Sequence, residues 1–76
     1  MMKTHPLKGQ WVKPTGGAYV GRLVFVYDYV PNIPSIAAIA KVMGIEPPAD
    51  FVYCVRARFG FAVRDRDLPK PNDEGA

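Results

Sequence analysis

The chain is poor in the residues that staple small proteins together. Its 76 residues include one cysteine, Cys54, and one histidine, His5. A single thiol forms no internal disulfide, and no cluster of His and Cys offers a zinc site, so the expected metal and cofactor content is none. Long apolar stretches are missing too. The longest run, Leu23-Val24-Phe25-Val26-Tyr27, falls far short of the ~20 residues that a membrane span requires. The opening Met1-Met2-Lys3-Thr4-His5-Pro6 lacks the apolar core of a secretion signal, which makes a reducing cytoplasm the expected setting. Neither sign of charge dominates, and neither internal repeats nor low-complexity blocks occur, which excludes a polyelectrolyte, a collagen-like chain and a coiled coil.

What is present is an ordinary globular balance, 49% hydrophobic and 22% charged, in a chain long enough for one domain. A domain this small buries only ~60% of its unfolded-chain surface and gains little from its core alone. With disulfides and metal set aside, self-association is the expected remedy, and a homo-oligomer the expected state. Residues 1–7 and 69–76 are polar and proline-bearing and are expected to be a flexible lead-in and a disordered tail around a single domain over 8–68. His5 is accordingly expected to be exposed and idle.

Within that domain Gln10–Lys13 reads as a short strand and Pro14-Thr15-Gly16-Gly17 as a turn. Tyr19–Val30, rich in β-branched and aromatic residues, reads as the main strand. Both faces of its Leu23–Tyr27 portion are apolar, so cover is expected on both sides. Pro31 and Pro34 end it. Ser35 is a suitable cap for a helix over 36–43 with Gly44 as its stop, and Ile36, Ile39, Ala40 and Met43 form an apolar stripe that should dock on the sheet. From Phe51 to Arg64 apolar odd positions alternate with Arg56, Arg58 and Arg64, interrupted by Gly60 as a turn or bulge in a tight hairpin. Asp65-Arg66-Asp67-Leu68 reads as a 3₁₀ turn whose aspartates cap backbone N–H groups and whose leucine plugs the end of a barrel. The expected fold is mainly β: a small SH3-like barrel of four or five short antiparallel strands with one inserted helix.

Lys8–Val24, with its basic strand, Thr15-Gly16-Gly17-Ala18-Tyr19-Val20-Gly21 turn and apolar strand, resembles the first hairpin of the plasmid-borne type II dihydrofolate reductases. Those are SH3-like barrels of about this length, often carried on integron cassettes, that work as homotetramers around a pore where folate and NADPH meet. The resemblance implies that Lys13 contacts anionic ligand groups, or that Pro14 takes that place if a one-residue gap is allowed. The chain departs from that family where its catalytic Val-Gln-Ile-Tyr strand should be. Gly60-Phe61-Ala62-Val63 stands there, with no amide and no phenol. The end, Phe61–Leu68, also resembles small barrel proteins of phage and mobile elements.

The remaining candidates are few. Cys54 lacks a neighbouring base and is expected to be a buried structural thiol. Asp28 and Asp50 stand at strand edges without an assigned chemistry. Arg56, Arg58 and Arg64, with Arg22 nearby, are the sharpest feature: a basic strand face for an acidic protein or nucleic acid. Because the aromatics of that block are expected to turn inward, a merely solvated, aggregation-resistant face is the stronger reading. Trp11, Val24, Val26, Tyr27 and Tyr29 are the expected oligomer interface. The function expected overall is a non-enzymatic, self-associating binding module, with nucleic-acid binding and an NADPH-dependent reductase as alternatives.

Overall fold

Two stretches concentrate β-branched and aromatic residues, and both become strands. The computed structural model describes residues 3–70. In it β1 (Trp11–Val12), β2 (Val24–Tyr29), β3 (Phe51–Arg56) and β4 (Phe59–Arg64) form one antiparallel sheet in the order β1-β2-β3-β4. One helix, α1 (Pro34–Met43), is inserted between β2 and β3. The fold is therefore mainly β, a small barrel-like sheet with a single helix, as the residue pattern indicates. The sheet itself is open. Its outer strands are brought together below by loops, where the backbone N–H groups of Thr15 and Gly16 donate to the Asp67 carbonyl at 2.7 and 3.4 Å.

The main strand is shorter than the propensities suggest. Tyr19–Arg22 lie in turns rather than in β2, because Gly17 and Gly21 take φ of 79° and 76°, and Gly21 N–H donates to the Pro14 carbonyl. Within β2 the register against β3 shifts between Val26 and Asp28, leaving Tyr27 as an extra residue. Such a bulge moves every later side chain to the other face. The helix starts at Pro34 rather than at Ile36, since proline suits the first helical turn; its cap position is Ile33, without a side-chain bond, so Ser35 lies inside the helix and is not its cap. Gly44 ends it in the left-handed conformation, φ 73°.

The β3–β4 hairpin is the tight one expected, but Gly60 is neither its turn nor a bulge. Pairing runs from Phe51↔Arg64 to Arg56↔Phe59, so Ala57 and Arg58 are the loop and Gly60 sits inside β4 opposite Val55. The glycine is there for room: a Cβ at position 60 would collide with the Tyr53 hydroxyl. A two-residue loop also reverses the alternation. Val52 and Cys54 share the buried face with Phe61 and Val63, while Phe51, Tyr53 and Val55 share the other with Gly60, Ala62 and Arg64. The expectation that all odd positions from 51 to 63 face one way therefore fails in β3.

One sheet face is the core. Val24, Val26, Val52 and Cys54 are fully buried, joined by Leu7 and Leu68, with Val12, Tyr19, Tyr29, Phe61 and Val63 packed against them. Burying an aliphatic side chain of this size contributes about 1.5–3 kcal/mol. The cover is irregular chain rather than the helix: the segment at Leu7, the loop bearing Tyr19, and the 3₁₀ turn Asp65–Asp67 with Leu68 behind it. Leu68 is thus buried against the core face of the sheet. The lead-in does not behave as expected, since His5 and Leu7 are buried. Residues 71–76 of the expected tail, and Met1 and Met2, lie outside the described residues. Helix α1 packs chiefly against the 3₁₀ turn Val30–Asn32 and buries only Ala40. Its expected docking stripe is thus largely in solvent, with Ile39, Met43 and neighbouring Val42 exposed.

Ala57 is the one non-glycine residue with positive φ among those described, at 57°. An L side chain there costs about 1 kcal/mol relative to glycine, and glycine is the favoured residue at the first place of such a loop. Ala57→Gly is expected to raise stability by about 0.5–1 kcal/mol, read as a higher urea midpoint at unchanged slope.

Candidate functional site

The polar groups with the most contacts gather at one end of the sheet, around the end of β2. Asp28 is 5% exposed, and its Oδ1 accepts from His5 N–H at 2.8 Å, Tyr29 N–H at 2.7 Å and Asn32 Nδ2 at 3.3 Å. Lys8 Nζ lies 3.6 Å from Oδ2. Burial pushes the Asp28 pKa up, but the His5 and Tyr29 N–H bonds, the Asn32 amide and the Lys8 charge together hold it below its ordinary value. Asp28 is the residue that the chain's pattern undervalued. A signal existed: it lies in phase with Val24, Val26 and Val30, where a lone carboxylate needs either a partner or a bulge.

His5 is 3% exposed, correcting the expectation of an idle surface residue. Leu7 N–H donates to Nδ1 at 3.0 Å, so Nε2 carries the proton and donates to Asp65 Oδ1 at 2.8 Å. Tyr29 packs its ring 4.8 Å from the imidazole and donates its hydroxyl to Asp65 Oδ2 at 3.4 Å. Burial, then the charge and hydrogen bond of Asp65, then the charge of Asp28 raise the Tyr29 pKa. This resembles a catalytic dyad only in composition. A general base needs a free ring nitrogen toward its substrate, and both nitrogens of His5 are engaged within the chain. The arrangement is a clasp between residues 5 and 65.

Asp65 and Asp67 do not cap their own turn, which has no side-chain cap bond. Asp65 serves the clasp, and Asp67 crowds Gly16 and Gly17. Beside the clasp lies an open cleft of about 430 Å³ lined by Lys3, Tyr29, Ala49, Asp50 and Asp65. Cys54 is buried as expected, and burial raises its thiol pKa to about 11, which removes it as a nucleophile.

The three arginines of the second β block do not form one face. Arg64 is at the far end of β4, where it meets Asp50 at 3.3 Å and lies 5.0 Å over the Phe51 ring. Arg56 and Arg58 belong to the hairpin turn, some five residues away, which is about 17 Å along a strand. They do acquire other company. Because Trp11, Phe25 and Val55 are aligned across β1, β2 and β3, Lys13 after β1 and Arg22 before β2 lie at that same end. Lys13, Arg22, Arg56 and Arg58 are all exposed, and among the described residues none of them forms an ion pair. The sheet is thus electrically polar, with unpaired cations at one end and Asp28, Asp50 and Asp65 at the other, while Asp67 lies against Gly16 and Gly17 in the loop after Lys13.

The expected oligomer interface divides as well. Val24 and Val26 are fully buried within the chain's own core and present no surface to a partner, while Tyr29 is half-buried, bonded into the clasp and open only to the cleft beside it. Trp11 and Tyr27 are on the opposite face, 57% and 45% exposed. With Phe25 and Tyr53 they form a continuous row, with ring centroids 5.3, 5.1 and 5.7 Å apart from Trp11 to Phe25 to Tyr27 to Tyr53. Tyr53 therefore points outward, against the expectation that the aromatics of the second β block turn inward.

Comparison with known proteins gives no further lead: no family, no curated protein and no solved structure matches the chain. Among the described residues no group of His, Cys, Asp and Glu is arranged to hold a metal ion, and no helix is long and apolar enough to cross a membrane.

Asp28→Asn removes the charge that three donors and Lys8 address, with an expected loss of about 2–3 kcal/mol in chemical denaturation. The pH dependence follows from the lowered pKa. Asp28 contributes stability in full above its unfolded value of 3.8, and that contribution is lost as pH falls through the lower folded value. Acid titration of the wild type should show this limb below about pH 4, and the variant should lack it.

Proposed function

We propose that the chain is a small non-enzymatic binding module that takes up an anionic partner at the cationic end of its sheet. One observation carries the reading: Lys13, Arg22 and the hairpin pair Arg56 and Arg58 come from three separate points of the sequence to one end of the sheet, exposed and unpaired among the described residues. Cations left without partners lose nothing when a polyanion arrives, and the sequence pI of about 9.2 adds a favourable background field. The engaged nitrogens of His5 and the buried Cys54 give no support to group-transfer or hydrolytic chemistry. The NADPH-dependent alternative rests on Lys13 alone, and an NADPH titration without response disposes of it.

Binding to inorganic polyphosphate should weaken steeply with salt, with a log–log slope near −3 for four contacts on a flexible polyanion. The double variant Arg56→Gln/Arg58→Gln is expected to bind about tenfold more weakly and to lose roughly half of that slope. Salt-independent binding, or an unchanged slope in the variant, would refute the assignment.

Self-association belongs to the same proposal. It is supported by the size of the domain and by the exposed Ile39, Val42, Met43 and Ile45 around the end of α1, of which Val42 is 87% exposed. Sedimentation should show an oligomer that Val42→Lys disperses while leaving the far-ultraviolet spectrum intact; a wild-type monomer at micromolar concentration removes this clause.

A further inference from the structure

We infer that the aromatic row Trp11, Phe25, Tyr27 and Tyr53 is a stacking platform for the bases of a single-stranded nucleic acid whose phosphates lie on the cationic end of the sheet. The inference rests on the anion-binding reading above and names its partner. Four aromatic side chains occupy the sheet face that the described segments leave open, and the two best exposed, Trp11 and Tyr27, are at 57% and 45%. The rings meet at angles of 60°, 80° and 46°, so none is stacked flat on its neighbour. The contrast lies on the core side, where Tyr19 and Phe61 are stacked at 3.9 Å and 8° and already use one face on each other. An unstacked ring beside water is a surface for another flat π-system, and every base supplies one.

Charge decides among anions. The row begins at Trp11, two residues before Lys13, and Phe25 is aligned with Val55, next to Arg56. A ligand seated on the rings therefore brings its backbone past the end of the sheet that carries Lys13, Arg22 and Arg58, with Arg56 projecting from the opposite face of that end, and keeps it from Asp28, Asp50 and Asp65. An acidic peptide satisfies the cations but has no planar groups for the row. A duplex holds its bases stacked inside, out of reach of a flat sheet. A single strand has phosphates and free base faces at neighbouring positions, which is the combination that this surface presents.

The full chain is titrated with an oligothymidylate of about twelve nucleotides, an abasic strand of equal length, the matching duplex, and oligoglutamate of equal charge, while the fluorescence of the single tryptophan is followed. The expected result is quenching of Trp11 and about tenfold tighter binding of the oligothymidylate than of the abasic strand, the duplex or oligoglutamate. Tyr27→Leu keeps apolar bulk on the sheet but no ring face; it should lower oligothymidylate binding about tenfold and leave abasic binding unchanged, and Tyr27→Phe should restore it. Equal affinity for the oligothymidylate and the abasic strand, or wild-type binding by Tyr27→Leu, overturns the platform while the anion-binding reading stands. Oligoglutamate binding as tightly as the oligothymidylate overturns it in favour of an acidic protein. A chain that sediments as an oligomer with Trp11 shielded from aqueous quenchers overturns it in favour of a second copy. If no anion binds, inorganic polyphosphate included, the cationic-end reading itself falls.

Discussion

A carboxylate on the last turn of a β-strand is what attaches the beginning of this chain to the rest. Asp28 is buried, yet its charge is retained because backbone N–H groups, an amide and a nearby ammonium converge on it. An unpaired carboxylate in that position would be costly, so the segment that supplies the His5 N–H is held by the same energy that solvates the charge. Once His5 is in place, its ring reaches Asp65, and Leu7 drops over the valines of β2 and β3. Both ends of the described chain are thereby tied to one region, without disulfide or metal. Among the described residues no buried side-chain nitrogen or oxygen lacks a hydrogen-bond partner.

That arrangement uses all the irregular chain as cover for one side of the sheet. Segments near residues 7, 19 and 68 close the core face, and α1 packs against the 3₁₀ turn after β2. Among the described residues nothing comparable remains for the other face, where bulky rings lie along β1, β2 and β3. Antiparallel sheets commonly keep one side wet, but that side is then usually polar. Here it is aromatic, with cations at one end and carboxylates at the other. The functional reading grows from this imbalance between the two sides.

Much of the fold was legible from the residues and much of the site was not, for identifiable reasons. The β-rich blocks, the helix ending at Gly44, the tight hairpin and the burial of Leu68 all follow from local propensity and capping, which act over a few residues. Parity along the strands was the misleading part. The bulge at Tyr27 and the two-residue loop at Ala57-Arg58 each change which side a side chain faces, and neither carries the glycine that would announce it. Alternation therefore placed Phe51, Tyr53 and Val55 inside when they lie on the open face. It also drew Arg64 together with Arg56 and Arg58, although Arg64 is spent on Asp50 and Phe51. The gathering of Lys13 and Arg22 with the hairpin arginines depends on strand register, which a linear pattern does not contain. His5 illustrates the same limit, because its partner is 60 residues away.

Cys54 lies at the centre of the pair of strands that all other parts pack upon, its sulfur sealed from water and its proton held up to about pH 11. Thiol-alkylating reagents react with thiolate, so Cys54 in the folded chain is inert to them. Every modification event must then pass through an opening of β2 from β3 or its covering segments. The rate at which this one sulfur is labelled is therefore a clock for how often the protein comes apart, built into the native sequence and readable by mass alone.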